Sequence, residues 1–150
     1  MNLPADNGCL IIGYGSPLRG DDAVGLHAAR ILARHGYHAL AMHQLNPELA
    51  EAIARAPVVV FVDADATLAP GEVAVERIGT TSSRRGAMEH YSAPEALLAL
   101  ARDLYAATPE SWRVGIGTAD FSLGHPLSPA ARTGLRRAVA EVTGRTTPAV

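Results

Sequence analysis

Short apolar runs alternate along this chain with longer stretches that have helical periodicity. Residues 9–12 and 58–62 are apolar on both faces, a pattern typical of strands buried in a parallel sheet that helices cover. Weaker alternation of apolar and polar positions predicts three further strands, at residues 37–44, 72–78 and 112–116. About five candidate strands are therefore spread over the chain.

Four intervening stretches place apolar residues three or four positions apart, as amphipathic helices do. In the first of them, Val24, Ala28 and Leu32 recur at this spacing. Capping residues mark the other three starts, namely Asn46 with Pro47, Ser92 with Glu95, and Ser128 with Pro129. The predicted helices span residues 22–35, 46–55, 92–107 and 128–144.

Strands that alternate with helices along a chain favour an α/β architecture. We therefore predict a three-layer α/β/α sandwich around a mostly parallel, twisted sheet of about five strands. The chain has 150 residues, which suits a single domain spanning residues 1–150 and is enough to bury a core.

Composition argues against several classes of function. The formal net charge is −2 with no basic stripe, and aromatic residues make up 5%, so we expect no nucleic-acid partner. No apolar stretch approaches the ~20 residues that span a bilayer, so we expect no membrane partner. The first eight residues carry Asp6 and no basic cluster, unlike a signal peptide, which predicts a cytoplasmic location. The single cysteine, Cys9, starts an apolar run and is expected to be a buried core thiol.

Polar side chains occur where the predicted strands end and the helices begin. In open α/β sheets, ligands bind beyond the carboxyl ends of the strands. Asp22 begins the first helix, Asp63 follows the strand 58–62, and His90 precedes the third helix. An acid at the end of an apolar strand is costly to bury without a partner. Two carboxylates and one imidazole would suit nickel or zinc better than calcium.

Each of these residues also has a structural interpretation. Asp21 or Asp22 can cap the first helix and oppose its dipole, which stabilises a helix by about 1 kcal/mol, and one aspartate suffices for that. His90 can be an ordinary loop histidine. Phosphate binding is disfavoured, because the G-x-G turn at residues 13–15 lacks the third glycine of a dinucleotide motif and the acidic pair would repel an anion.

The segment IIGYGSPLRGDDAVG, residues 11–25, resembles the opening signature of the hydrogenase maturation proteases. That signature is an apolar strand, a G-x-G-N turn, a leucine, an acidic pair and a helix start. The similarity continues in the same order through QLNPELA at 44–50, FVDA at 61–64, Pro70-Gly71, His90 and GHPLSP at 124–129. The resemblance therefore covers nearly the whole chain.

This resemblance implies a function and a set of site residues. It implies the three-layer fold and an endopeptidase that removes the C-terminal extension of a [NiFe] hydrogenase large-subunit precursor once nickel is in place. The metal-contacting positions fall on Asp22, Asp63 and His90. On this interpretation the nickel is recognised in the substrate, and other divalent metals can occupy the site. The precursor is then the partner, and the protein is expected to act as a monomer.

The sequence contains no nucleophile elbow and no zinc-protease helix, so we expect attack by a water molecule. Asp22 and Asp63 are the predicted catalytic residues, one of which would orient or deprotonate that water. A non-catalytic nickel-binding chaperone of hydrogenase assembly would use the same ligands and is the alternative.

The sequence also departs from the family pattern. Ser16 stands in place of asparagine, and Ala23 stands in place of glycine. His and Gln occupy positions 43 and 44, where some members of the family carry a further acid.

Overall fold

The structure, a computed structural model, describes residues 8–80 and 93–144. Within these ranges the strands are β1 (Cys9–Tyr14), β2 (Ala39–Met42), β3 (Val58–Asp65), β4 (Val73–Ile78) and β5 (Glu110–Gly117). The α-helices are α1 (Val24–Arg34), α2 (Leu49–Arg55), α3 (Pro94–Tyr105) and α4 (Pro129–Thr143). A 3-10 turn, Gly20–Ala23, leads directly into α1. None of the helices in the described ranges has the length and apolar character needed to cross a bilayer.

The strands form one sheet in the order β2-β1-β3-β5-β4. The pairings of β1 with β2, of β1 with β3, and of β3 with β5 are parallel, whereas β4 pairs antiparallel with β5. The most apolar strand, β3, occupies the centre, as expected for a strand that helices cover on both faces. The predicted α/β fold with a mostly parallel sheet of about five strands is confirmed.

Helices cover both faces of the sheet and create two apolar cores. Val58, Val60 and Val62 of β3 join the core under α1 and α4. Val59 and Phe61 point to the other face and join the core under α2 and α3. All five side chains are buried, and full burial of such a side chain stabilises a fold by about 1.5–3 kcal/mol. This alternation fixes the register of β3 and therefore the position of the acid that follows Val62.

Some boundaries of the first half differ from the predicted ones. β3 continues to Asp65, so Asp63 lies inside the strand rather than after it. The predicted helix 22–35 begins with the 3-10 turn and becomes α-helical only at Val24. Cys9, predicted to be a core thiol, is indeed buried.

Two predicted helix caps are wrong. α2 begins at Leu49, and Asn46 instead closes the preceding turn by accepting a hydrogen bond from the N–H two residues further on, at 3.1 Å. α3 begins at Pro94, and its N-cap is Ala93 rather than Ser92. A proline at the first helical position needs no N–H partner, so this start is stable without a side-chain cap.

The start of α1 packs against the carboxyl ends of β1 and β3 with no room for a side chain. A Cβ atom added to Gly25 would lie 2.7 Å from the carbonyl oxygen of Tyr14 and still closer to that of Val62. A Cβ atom on Gly15 would collide with the carbonyl oxygen of Asp22. These glycines therefore allow the 3-10 turn to approach the carboxyl edge of the sheet.

Gly25→Ala is expected to lower the free energy of unfolding by about 1–3 kcal/mol, because the added methyl meets rigid backbone atoms on both strands. Urea denaturation measures the change. Gly79→Ala is the matched control, since no described atom lies within 4 Å of a Cβ atom there. The control should change stability by less than about 0.5 kcal/mol. Equal stabilities of the two variants would contradict the close approach of helix and sheet.

Candidate active site

Two of the three predicted site residues line one cavity at the carboxyl edge of the sheet. Asp22 comes from the 3-10 turn that follows β1, and Asp63 comes from β3. The cavity has a volume of about 230 Å³, and its lining includes Tyr14, Gly15, Asp22, His43, Gln44 and Asp63. His90, the third predicted residue, lies outside the described residues. The parallel topology thus brings together two acids that are 41 positions apart in sequence, at the edge where α/β folds bind ligands.

The loop after β1 folds back onto Asp22. The backbone N–H of Ser16 donates a hydrogen bond to Asp22 Oδ2 at 2.8 Å. The hydroxyl of Ser16 accepts a hydrogen bond from the N–H of Leu18 at 3.3 Å and so stabilises the same loop. Because the contact to Asp22 uses the main chain, it does not depend on whether residue 16 is serine or the asparagine of the signature that the sequence resembles.

Asp21 is fully buried and binds a distant segment of the chain. Its Oδ2 accepts hydrogen bonds from the N–H groups of Ala119 (2.8 Å) and Asp120 (2.9 Å) and from the hydroxyl of Ser128 (2.7 Å). Its Oδ1 accepts one from the N–H of Ser128 (2.7 Å). Burial alone would raise the pKa of Asp21, but these hydrogen bonds outweigh it and lower the pKa. Asp21 therefore ties the 3-10 turn to the segment that joins β5 to α4.

The expectation that Asp21 or Asp22 caps the first helix is wrong. Neither the 3-10 turn nor α1 has a side-chain cap. The two acids nevertheless have different roles, because Asp21 binds the segment before α4 and Asp22 lines the cavity. Ser128 does cap α4 as predicted, since its hydroxyl accepts a hydrogen bond from the N–H of Ala131 at 3.1 Å.

The two carboxylate oxygens of Asp63 lie in different environments. Tyr14 donates its hydroxyl to Oδ2 at 2.6 Å, and Nε of Arg113 lies 3.8 Å from the same oxygen. Oδ1 is buried and accepts no hydrogen bond from the described residues. Burial raises the pKa of Asp63 to about 6, against the lowering effects of the Tyr14 hydroxyl and the Arg113 charge. Perturbed acids of this kind cluster at functional sites.

Tyr14 is held as a hydrogen-bond donor. Burial and the charge of Asp63 raise the pKa of Tyr14 well above its usual value, so its hydroxyl stays protonated. The hydroxyl can therefore donate its hydrogen bond to Asp63 Oδ2 at any physiological pH.

Arg113 on β5 lies close to three carboxylates. It is 3.3 Å from Glu76, 3.4 Å from Glu95 and 3.8 Å from Asp63. Burial alone would lower the pKa of Arg113, but Asp63 and Glu95 outweigh it and raise the pKa. Glu95, which is buried, thus pairs with Arg113, and the predicted capping box with Ser92 is wrong.

Sequence reasoning missed Tyr14, Arg113 and Glu95. An arginine inside the predicted strand 112–116 was an available signal, because a buried arginine needs a partner. The partner could be identified only from the register, which places Arg113 opposite Phe61 and hence beside Asp63 on the same face of the sheet.

The donor set of the cavity fits a cation but is incomplete within the described ranges. Residues 8–80 and 93–144 contain no group of three or more His, Cys, Asp and Glu side chains placed to hold one metal ion. Asp22 and Asp63 contribute two carboxylates, and Oδ1 of Asp63 lacks a partner that a cation would supply. The position of His90 as a third ligand stays a prediction.

Solved structures similar to this chain share its fold over more than nine-tenths of its length. A [NiFe] hydrogenase maturation protease, HybD from Thermococcus kodakarensis, matches with a TM-score of 0.68 and 26% identity, covering 91% of this chain and 97% of its own. The chain is a structural relative of the hydrogenase maturation proteases. HycI of the same type from Thermococcus kodakarensis KOD1 matches with a TM-score of 0.67, 20% identity and coverage of 93% and 92% of the two chains. HybD from E. coli, a hydrogenase maturating endopeptidase, matches with a TM-score of 0.65, 20% identity and coverage of 91% and 90%.

No family model and no curated protein matches the chain. The solved structures nonetheless confirm the resemblance to the hydrogenase maturation proteases that the opening signature predicted. They also confirm the α/β fold and support the expectation of a protease. The roles of Asp22, Asp63 and His90 stay predictions.

Asp21→Asn is expected to lower the free energy of unfolding by about 2–3 kcal/mol at pH 7, because the amide nitrogen faces N–H donors where a carboxylate oxygen accepted them. In the wild-type protein the pKa of Asp21 is lower when folded than its ordinary value of 3.8. Its stabilising effect is therefore complete above that value and is lost as the pH falls through the native pKa.

Urea denaturation at several pH values between about 2 and 7 measures both effects. The wild-type protein should lose stability as the pH falls. Asp21→Asn should show a smaller loss, whereas Asp103→Asn, at an exposed position on α3, should show the same loss as the wild-type protein. Identical acid profiles for Asp21→Asn and the wild-type protein would contradict the role of Asp21 as an anchor.

Proposed function

We propose that this protein is an endopeptidase that removes the C-terminal extension of a nickel-loaded [NiFe] hydrogenase large-subunit precursor. Support comes from structural neighbours that are named as hydrogenase maturation proteases. The observation that carries the proposal is the cavity that Asp22 and Asp63 both line, together with one buried oxygen of Asp63 that has no partner among the described residues.

The proposed role of this cavity is to recognise the nickel of the precursor. Asp22, Asp63 and His90 would contact the ion, and the ion belongs to the substrate rather than to the enzyme. Carboxylate and imidazole ligands suit a borderline divalent cation such as nickel. Recognition through the ion would restrict cleavage to precursors that already carry it.

The proposed chemistry is hydrolysis by a water molecule. Either Asp22 or Asp63 would orient or deprotonate this water, because both residues line the cavity and no nucleophile elbow is present in the sequence. A pKa of about 6 keeps Asp63 largely ionised at neutral pH while leaving it able to accept a proton. Monomeric action and a cytoplasmic location stay predictions.

The test mixes the purified protein with a nickel-loaded large-subunit precursor and follows the precursor by mass spectrometry. The wild-type protein should shorten the precursor by its C-terminal extension. Asp22→Asn, Asp63→Asn and His90→Ala should each lower the rate at least 100-fold, as removal of a group central to the chemistry does. Asp103→Asn, on an exposed part of α3, is the matched control and should cleave normally.

Asp63→Asn also tells an effect on activity apart from an effect on stability. Asparagine keeps an oxygen that can accept the Tyr14 hydroxyl, and it removes a buried charge that is poorly paired. This variant should therefore be at least as stable as the wild-type protein while losing activity. Normal cleavage by all three site variants would refute the site, and tight nickel retention without any cleavage would favour the chaperone.

A further inference from the structure

The two oxygens of Asp63 are not equivalent in this structure. Oδ2 accepts the hydroxyl of Tyr14 at 2.6 Å, whereas Oδ1 is buried and accepts no hydrogen bond from the described residues. An aspartate carboxylate can rotate about its terminal torsion, whose energy wells are broad, and present either oxygen. A neighbouring group must therefore hold the carboxylate in one orientation if Asp63 is to contact an ion through one of its oxygens.

The position of Tyr14 follows from the register of the central strands. Gly13 of β1 is paired with Val62 of β3, and Tyr14 and Asp63 are the next residues on these parallel strands. Their side chains therefore project from the same face of the sheet. The ring of Tyr14 packs against the apolar core under α2 and α3, so packing fixes the direction of its hydroxyl.

Arg113 acts on Asp63 from the other neighbouring strand but does not replace Tyr14. Its Nε lies 3.8 Å from Oδ2 and makes no hydrogen bond within the described structure. Its Nη1 and Nη2 atoms are directed to Glu76 and Glu95. Arg113 therefore supplies a diffuse attraction, while Tyr14 supplies the directional contact.

We infer that Tyr14 is a positioning residue that holds Asp63 by Oδ2 and thereby keeps Oδ1 directed for contact with the cation of the substrate. This inference rests on the proposed function and adds a residue to its machinery. Outer groups that orient a ligating carboxylate typically change metal affinity or activity 10- to 100-fold when they are removed.

Tyr14→Phe tests the inference because it removes the hydroxyl and keeps the packed ring. The steady-state constants kcat and KM are measured with a nickel-loaded precursor, after thermal unfolding has shown that each variant is folded at the assay temperature. Tyr105→Phe is the matched control, since Tyr105 is half-exposed at the end of α3. Tyr14→Phe should raise KM about tenfold, with kcat changed less than threefold, and the control should leave both constants unchanged.

A hydroxyl with a merely structural role would give a different result. It would lower the melting temperature and leave kcat and KM of the folded variant at their wild-type values. That pattern, or a lower kcat with KM unchanged, would overturn the positioning role while leaving the proposed function in place. A wild-type protein that fails to cleave the precursor would overturn the proposed function and the positioning role together.

Discussion

The burial of one poorly paired carboxylate governs the architecture of this site. Asp63 continues the most apolar strand of the sheet, and one of its oxygens is buried without a hydrogen bond from the described residues. Leaving such an acceptor unsatisfied costs about 1–3 kcal/mol, and more for a charged group. Two neighbouring strands moderate this cost, since β1 brings the hydroxyl of Tyr14 and β5 brings the charge of Arg113. The remaining oxygen is the part of the site that a cation would satisfy.

The adjacent acids Asp21 and Asp22 have different roles, since Asp21 stabilises the fold and Asp22 lines the candidate site. Asp21 is buried, and the four hydrogen bonds that its carboxylate accepts from Ala119, Asp120 and Ser128 favour its ionised form. Asp22 accepts one backbone hydrogen bond and lines the cavity. The first acid fixes the turn that carries the second. A well-satisfied carboxylate thus supports a neighbour that is left accessible to a ligand.

Much of the fold could be predicted from the sequence because local patterns determine it. The apolar run 58–62 predicted the central strand, and Ser128 before Pro129 predicted the cap of α4. The continuation of β3 to Asp65 could not be read from polarity, since polar residues in that strand are stabilised by pairing with β5. The caps assigned to Asn46 and Ser92 failed because turn geometry and a proline start compete with side-chain capping.

The candidate site was predictable only in part. Residues at strand ends drew attention to Asp22 and Asp63, since the carboxyl edge of a parallel sheet is where ligands bind. The contacts that tune Asp63 depend on which strands are neighbours and on their register, and neither can be read from a single sequence. Tyr14 and Arg113 therefore became visible as partners only in the folded chain.

We propose that Asp22 and Asp63 contact one cation, and that Asp63 does so through Oδ1, which accepts no hydrogen bond from the described residues. The most direct measurement is X-ray diffraction from crystals soaked in nickel, with anomalous data collected at the nickel absorption edge. One strong anomalous peak is expected in the cavity, about 2.1 Å from Oδ1 of Asp63 and in contact with Asp22. A nickel peak elsewhere on the protein, with Oδ1 of Asp63 still without a ligand, would contradict this cation site.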